Sequence, residues 1–144
     1  MLSCRLRNSL VEKINKSEWW HVIPEDLKAY EKRGKFLAST YSQASFYGRP
    51  KDEPERVFIR NPLCGTSELE ILRQLFPTNR KELYEQVLDV GDDWYKRRVD
   101  LDSKIFYTAK RNGYDAVVLI TSNGKKDLEK NRKPWSIELN LLWQ

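Results

Sequence analysis

Three groups of residues in this 144-residue chain are of types that could do chemistry. The first is His21, the single histidine, which follows Trp19 and Trp20. A histidine at the end of a strand can donate hydrogen bonds to a bound ribose or carbonyl. It can equally be a structural histidine near the surface. The second is Ser39-Thr40 followed by Tyr41 and, after Ala44, Tyr47. Small hydroxyl residues let a ligand approach the backbone, and Tyr41 or Tyr47 could stack on a planar ring. The same residues also suit a capped helix whose aromatics pack into the core. The third is Glu138, between Ile137 and Leu139. A carboxylate inside an apolar strand is costly if buried without a partner. It can stabilise positive charge on an oxocarbenium-like sugar and hold a ribose hydroxyl. Simple alternation, with Asn140 on the same outward face, fits as well.

Other chemistries find no support. The chain has no glycine-rich dinucleotide fingerprint, no Walker-type phosphate loop and no His-Glu-x-x-His pair. Cys4 and Cys64 lack metal-ligand spacing and stand in no catalytic motif, so no metal is expected. They fit reduced thiols in a cytoplasmic protein. The N-terminus lacks the apolar stretch of a secretory signal, and no apolar run approaches the ~20 residues that span a bilayer.

Length and composition set the frame for these residues. A chain of this size can bury roughly 70% of its unfolded surface, so one domain over residues 1–144 with its own core is expected. Five Trp, seven Tyr and five Phe supply much of that core. The net charge of +5 favours anionic partners, although the longest basic runs are only Lys96-Arg97-Arg98 and Lys125-Lys126.

The elements follow from periodicity and punctuation. Residues 2–16 fit a helix, through Leu6, Leu10, Val11 and Ile14, or in their first half a strand. Strands are expected over 18–23, 35–39, 56–60, 114–121 and 135–143. A helix should start at Pro24 and stop at Gly34, and another should run from a Thr40 cap to Gly48. Ser67 and Glu70 form a capping-box pattern that opens a helix ending before Pro77. Further helices are expected over 81–90 and through Leu101, Ile105, Phe106 and Ala109 to Gly113. Residues 49–54 and 122–134 read as loops, the second with Asn123-Gly124 as a turn signal. Strands at the start, middle and end, with helices clustered between them, predict an α+β fold.

Taken in order, several pieces resemble the ADP-ribosyltransferase-like superfamily, in particular its bacterial and phage toxin-type members of the His-Tyr-Glu kind. The pieces are Trp20-His21, then Gly34-Lys35-Phe36-Leu37-Ala38-Ser39-Thr40, then Ala44-Ser45-Phe46-Tyr47. Later come Ala109-Lys110-Arg111-Asn112-Gly113-Tyr114-Asp115 and Ser136-Ile137-Glu138-Leu139. The likeness spans residues 18–60 and 105–142. It implies a split, mostly antiparallel sheet of five to seven strands, with His21 and Glu138 lining one cleft. It also implies NAD as substrate: His21 at the adenosine-side ribose, Tyr47 or Tyr41 on the nicotinamide, and Glu138 as the catalytic carboxylate. In the Arg-Ser-Glu branch, Arg5 or Arg7 would take the first position and Ser39-Thr40 the hydroxyl pair. Two departures stand out. His21 is followed by Val-Ile-Pro where many members carry Gly-Thr. Ser136 stands where the arginine-modifying branch is acidic, so a protein or nucleic-acid acceptor other than arginine is implied.

A reading of another class uses the basic balance differently. Lys96-Arg97-Arg98, the basic 122–134 segment, Trp135 and Trp143 would suit a small nucleic-acid-binding protein without catalysis, by phosphate contacts and base stacking.

Overall fold

The computed structural model describes residues 2–23, 34–78, 83, 85, 91, 94–133 and 137–142, without the side chains of residues 46, 47, 94 and 95. The helix expected over 24–33, most of that over 81–90, and Trp135 and Trp143 lie outside these residues.

The ambiguous first segment is a helix, α1 (Cys4–Lys16). Ser3 caps it by accepting a hydrogen bond from the Leu6 amide, and Leu10 and Ile14, one turn apart, are its buried residues. Strand β1 (Glu18–Ile23) follows, then β2 (Lys35–Ala38). Gly34, just before β2, has φ +70°, and a Cβ there would collide with the Leu141 carbonyl. Helix α2 (Tyr41–Tyr47) starts at its Thr40 cap. Short strands β3 (Arg49–Pro50) and β4 (Glu55–Arg56) precede β5 (Pro62–Gly65). Helices α3 (Glu68–Leu75) and α4 (Trp94–Arg111) lead to β6 (Ala116–Ile120), α5 (Ser122–Glu129) and β7 (Ile137–Leu141).

The α+β class and the mostly antiparallel pairing follow the sequence. The sheet is not split, however. It is one open sheet in the order β3-β1-β2-β7-β6-β5, with β4 also on β1 and only β5–β6 parallel. At its centre β2 and β7 pair over four positions, from Lys35–Leu141 to Ala38–Glu138. Along the outer edge of β1, β3 and β4 act as one interrupted strand. Ile23 and Val22 face Arg49 and Pro50, and Trp19 and Glu18 face Glu55 and Arg56. Residues 51–54 therefore bulge opposite Trp20 and His21.

Each face of the sheet carries its own core. One face presents Trp19, Leu37, Cys64, Val118, Leu139 and Leu141 to Leu10 and Ile14 of α1 and Leu128 of α5. Buried Trp19 donates its indole N–H to the Ile14 carbonyl at 2.9 Å. On the other face, Leu63 and Val117 meet Leu72 and Leu75 of α3 and Leu101, Ile105 and Ala109 of α4. Farther along that second face, Val22 and Ala38 meet Ala44 of α2.

Four segments differ from the sequence expectation, and one of them is strand β5 over Pro62–Gly65, where no strand was expected. The strand expected over 56–60 ends at Arg56. Beyond it, the Asn15 side chain donates to the Ile59 carbonyl at 2.9 Å and accepts from its amide at 2.8 Å, as a neighbouring strand would. The Asp115 carboxylate then accepts from the amides of Arg60 and Asn61. Part of the loop expected over 49–54 pairs with β1. Most of the expected 122–134 loop is α5, because Thr121 caps it at the Gly124 amide (2.9 Å).

The free edge of β5 is occupied by side chains. Arg7 donates to the Pro62 carbonyl through Nε (3.3 Å) and Nη2 (2.9 Å), and also bonds Asn61. Gln74 donates to the Cys64 carbonyl at 2.8 Å. Among the described residues, no helix is long and apolar enough to cross a membrane.

Candidate functional site

Strand register decides which of the candidate residues can meet. Glu138 pairs with Ala38 on β2 and Leu119 on β6, and Ala38 pairs with Trp20 on β1. Trp20, Ala38, Glu138 and Leu119 therefore share one row on one face. His21 pairs with Leu37, which pairs with Leu139, so its row lies on the opposite face. The expectation that His21 and Glu138 line one cleft is thus corrected. The two strands are aligned so that these residues differ by one step, and each step reverses the face.

His21 is 4% exposed. Its Nδ1 lies 3.4 Å from Glu55 Oε1, and the other oxygen of Glu55 accepts from Lys35 Nζ at 2.6 Å. Burial pushes the imidazole below its usual range, Lys35 and Lys51 push the same way, and Glu55 opposes them. His21 thus sits beside the Lys35–Glu55 ion pair, with burial disfavouring its protonated form.

The Glu138 face has a different character. Ile137, Leu139 and Leu141 are buried on the α1 side, whereas Glu138 and Asn140 are half-buried on the other. On that second face, α2 covers β1 and β2, and α3 and α4 cover β5 and β6. Glu138 and Asn140 form a polar strip between these two helical layers. On one side of the strip, the Tyr41 ring stands edge-on to Trp20, with centroids 5.1 Å apart and planes at 87°. Tyr41 is 45% exposed. Beyond Ala38, Ser39 Oγ donates to Gln43 Oε1 at 3.0 Å, and Thr40 Oγ1 accepts from the Gln43 amide at 3.1 Å. Both hydroxyls thereby fix the start of α2. The Tyr47 side chain lies outside the described residues.

On the other side stands Arg98. It bonds both carboxylate oxygens of Glu68, one at 2.8 Å, and its Nε lies 3.4 Å from Asp102 Oδ1. The Glu68 hydrogen bond holds the guanidinium protonated; burial opposes this, and the charges of Asp102, Glu68 and Glu138 add to it. Sequence reasoning missed Arg98, Glu68 and Trp20 as parts of this surface. The Arg98–Asp102 spacing of one helical turn was a visible signal, but the partner Glu68 is thirty residues away. Of the N-terminal arginines, Arg5 is exposed and Arg7 is committed to the β5 edge. Among the described residues, no three His, Cys, Asp or Glu side chains converge as metal ligands.

Comparison with protein-family models, with curated proteins and with solved structures gave no match.

Proposed function

We propose that the polar strip between α2 and α4 binds NAD and that the chain transfers its ADP-ribose to an acceptor. The observation that carries this reading is the row Trp20–Ala38–Glu138 with the Tyr41 ring at its end. It puts a carboxylate and an accessible aromatic face on one side of the sheet. Small Ala38 stands between Trp20 and Glu138 in that row. The order of motifs that resembles ADP-ribosyltransferases supports the same assignment for Glu138. His21 takes no part in it.

In this reading Tyr41 stacks on the nicotinamide and Glu138 lies beside the anomeric carbon of the attached ribose. The bond from that carbon to the ring nitrogen breaks, and its electron pair leaves with nicotinamide. Positive charge builds on the sugar, and the fixed carboxylate attracts it more strongly in the transition state than in the ground state. An acceptor nucleophile then forms the new bond to the anomeric carbon and gives up its proton. Arg98, held by Glu68 and Asp102, adds positive charge beside Glu138.

The test is nicotinamide release from NAD by the purified chain and by Glu138→Gln, with NAD affinity measured by calorimetry. Glu138→Gln keeps the size of the side chain and removes its charge. Turnover should fall at least ~100-fold, the loss expected for one preorganised stabilising group, with affinity nearly unchanged. Release by Glu138→Gln at the wild-type rate would remove Glu138 from the chemistry. Failure of the wild type to bind NAD would remove the whole reading.

A further inference from the structure

The two most exposed large apolar side chains among the described residues are aromatic. Tyr107, on α4, is 68% exposed, and Phe58, just before β5, is 61% exposed. Neither is needed for a core, since α4 buries Leu101, Ile105 and Ala109 on its other side. Both stand among cations. Lys104 precedes Tyr107 by three residues, and Lys110 and Arg111 follow by three and four, so all four share the outer face of the helix. Arg60 lies over the Phe58 ring, its guanidinium carbon 5.3 Å from the centroid.

The segments that carry the two groups touch at one junction. Asn61 donates from its side chain to the carbonyl of Gly113, just past the end of α4, at 3.0 Å. Tyr107 lies roughly 9 Å of helix before that contact, and Phe58 no more than roughly 11 Å of chain before it. Asp100 is one turn before Lys104, and the Asp115 carboxylate is occupied by the amides of Arg60 and Asn61.

We propose that the outer face of α4, continued by Phe58 and Arg60, binds single-stranded nucleic acid. Aromatic rings spaced along a line of cations suit a polymer that alternates planar bases with phosphates. A duplex would offer phosphates but hide its base faces, and an acidic peptide would leave both rings without a stacking partner. The surface differs from the one expected from the sequence alone, since it rests on Tyr107, Phe58 and Arg60. It is also independent of the NAD reading.

The test is fluorescence anisotropy of the full chain with labelled twelve-nucleotide oligo(U) and oligo(dT) at several salt concentrations. Tyr107→Ala and Phe58→Ala should each weaken binding about fivefold or more, while Tyr107→Phe keeps wild-type affinity. The pair Lys104→Ala with Arg111→Ala should lower the slope of log affinity against log salt by about 0.7 for each lost phosphate contact. Tighter binding of oligo(U) assigns the surface to RNA, and tighter binding of oligo(dT) to DNA; either supports the proposal. Three results would overturn it: no binding at low salt, aromatic variants that bind as the wild type does, or displacement by polyglutamate as effective as by oligo(U). The last would mark an acidic-protein surface. Because the four side chains are exposed, melting temperatures of all variants should match the wild type, and they check that the fold is intact.

Discussion

His21 shows how far a single residue type can mislead. Its chemistry allows ribose binding, and its place after two tryptophans invites that use, yet its row faces α1 and its neighbours are Glu55 and Lys35. Alternation along β7 was legible from Ile137, Leu139 and Leu141. The relative face of His21 was not, because it depends also on the pairing of β2 with β7, whose partners lie far apart in the chain. The placement has a measurable consequence. A histidine held below its usual value of 6.5 in the fold takes up its proton more readily when unfolded. Its contribution to stability is therefore full above that value and is lost as pH falls from about 6.5 toward the folded value. The melting temperature should drop over this range, and His21→Gln should flatten the drop. Glu70, held below its usual 4.5 mainly by the Thr66 amide, acts only at lower pH and does not confuse the measurement. Thermal melts between pH 7.5 and 5 decide it; an unchanged slope in His21→Gln would mean that His21 is already solvated. Tyr41 gives a second prediction at this scale. Its ring would stack in the ground state, so Tyr41→Ala should weaken NAD binding, while Tyr41→Phe should keep it. Equal affinity of Tyr41→Ala and wild type in calorimetry would exclude the stack.

At the scale of elements, the strong local signals held and the weaker ones gave way to packing. The Thr40 and Ser67 caps were readable from the chain, and both bond as expected. The Glu70 side chain of the second cap closes on the Thr66 amide at 2.7 Å. The Asn123-Gly124 pair read as a turn because glycine usually interrupts helices, and here it sits inside α5. The reason is space: a Cβ on Gly124 would lie 2.7 Å from Ile120 Cγ1, in a fully buried and stiff β-branched side chain. Helix propensity alone would make Gly124→Ala stabilising by about 1 kcal/mol. The clash reverses that sign, so Gly124→Ala should lower the melting temperature, and a rise would show that α5 can shift outward. Similarly, no periodicity rule could find the Asn15–Ile59 pairing, because a side chain of α1 replaces the strand partner that residues 57–59 would otherwise need. Asn15→Ala leaves the amide and carbonyl of buried Ile59 without their bonds and should cost roughly 1–3 kcal/mol in denaturant unfolding. A smaller change would mean that water substitutes there.

For the whole molecule, the α+β class was legible from the order of strands and helices, and the antiparallel bias was expected from the family resemblance. The single open sheet was not, since it depends on β2 and β7 meeting across most of the chain. An open sheet has two margins, and its β5 margin is sealed by Arg7 of α1 and Gln74 of α3. These helices pack on opposite faces, so the seal is complete only after both have docked. Until then the carbonyls of Pro62 and Cys64 are open to another chain. The order of docking thereby sets a dependence on protein concentration. Arg7→Ala combined with Gln74→Ala should leave a folded monomer at low concentration but lower the yield of refolding as the protein is concentrated, with strand-rich aggregates read by light scattering and thioflavin binding. Wild type diluted from denaturant at the same concentrations should recover better, because its two helices close the edge before neighbours find it.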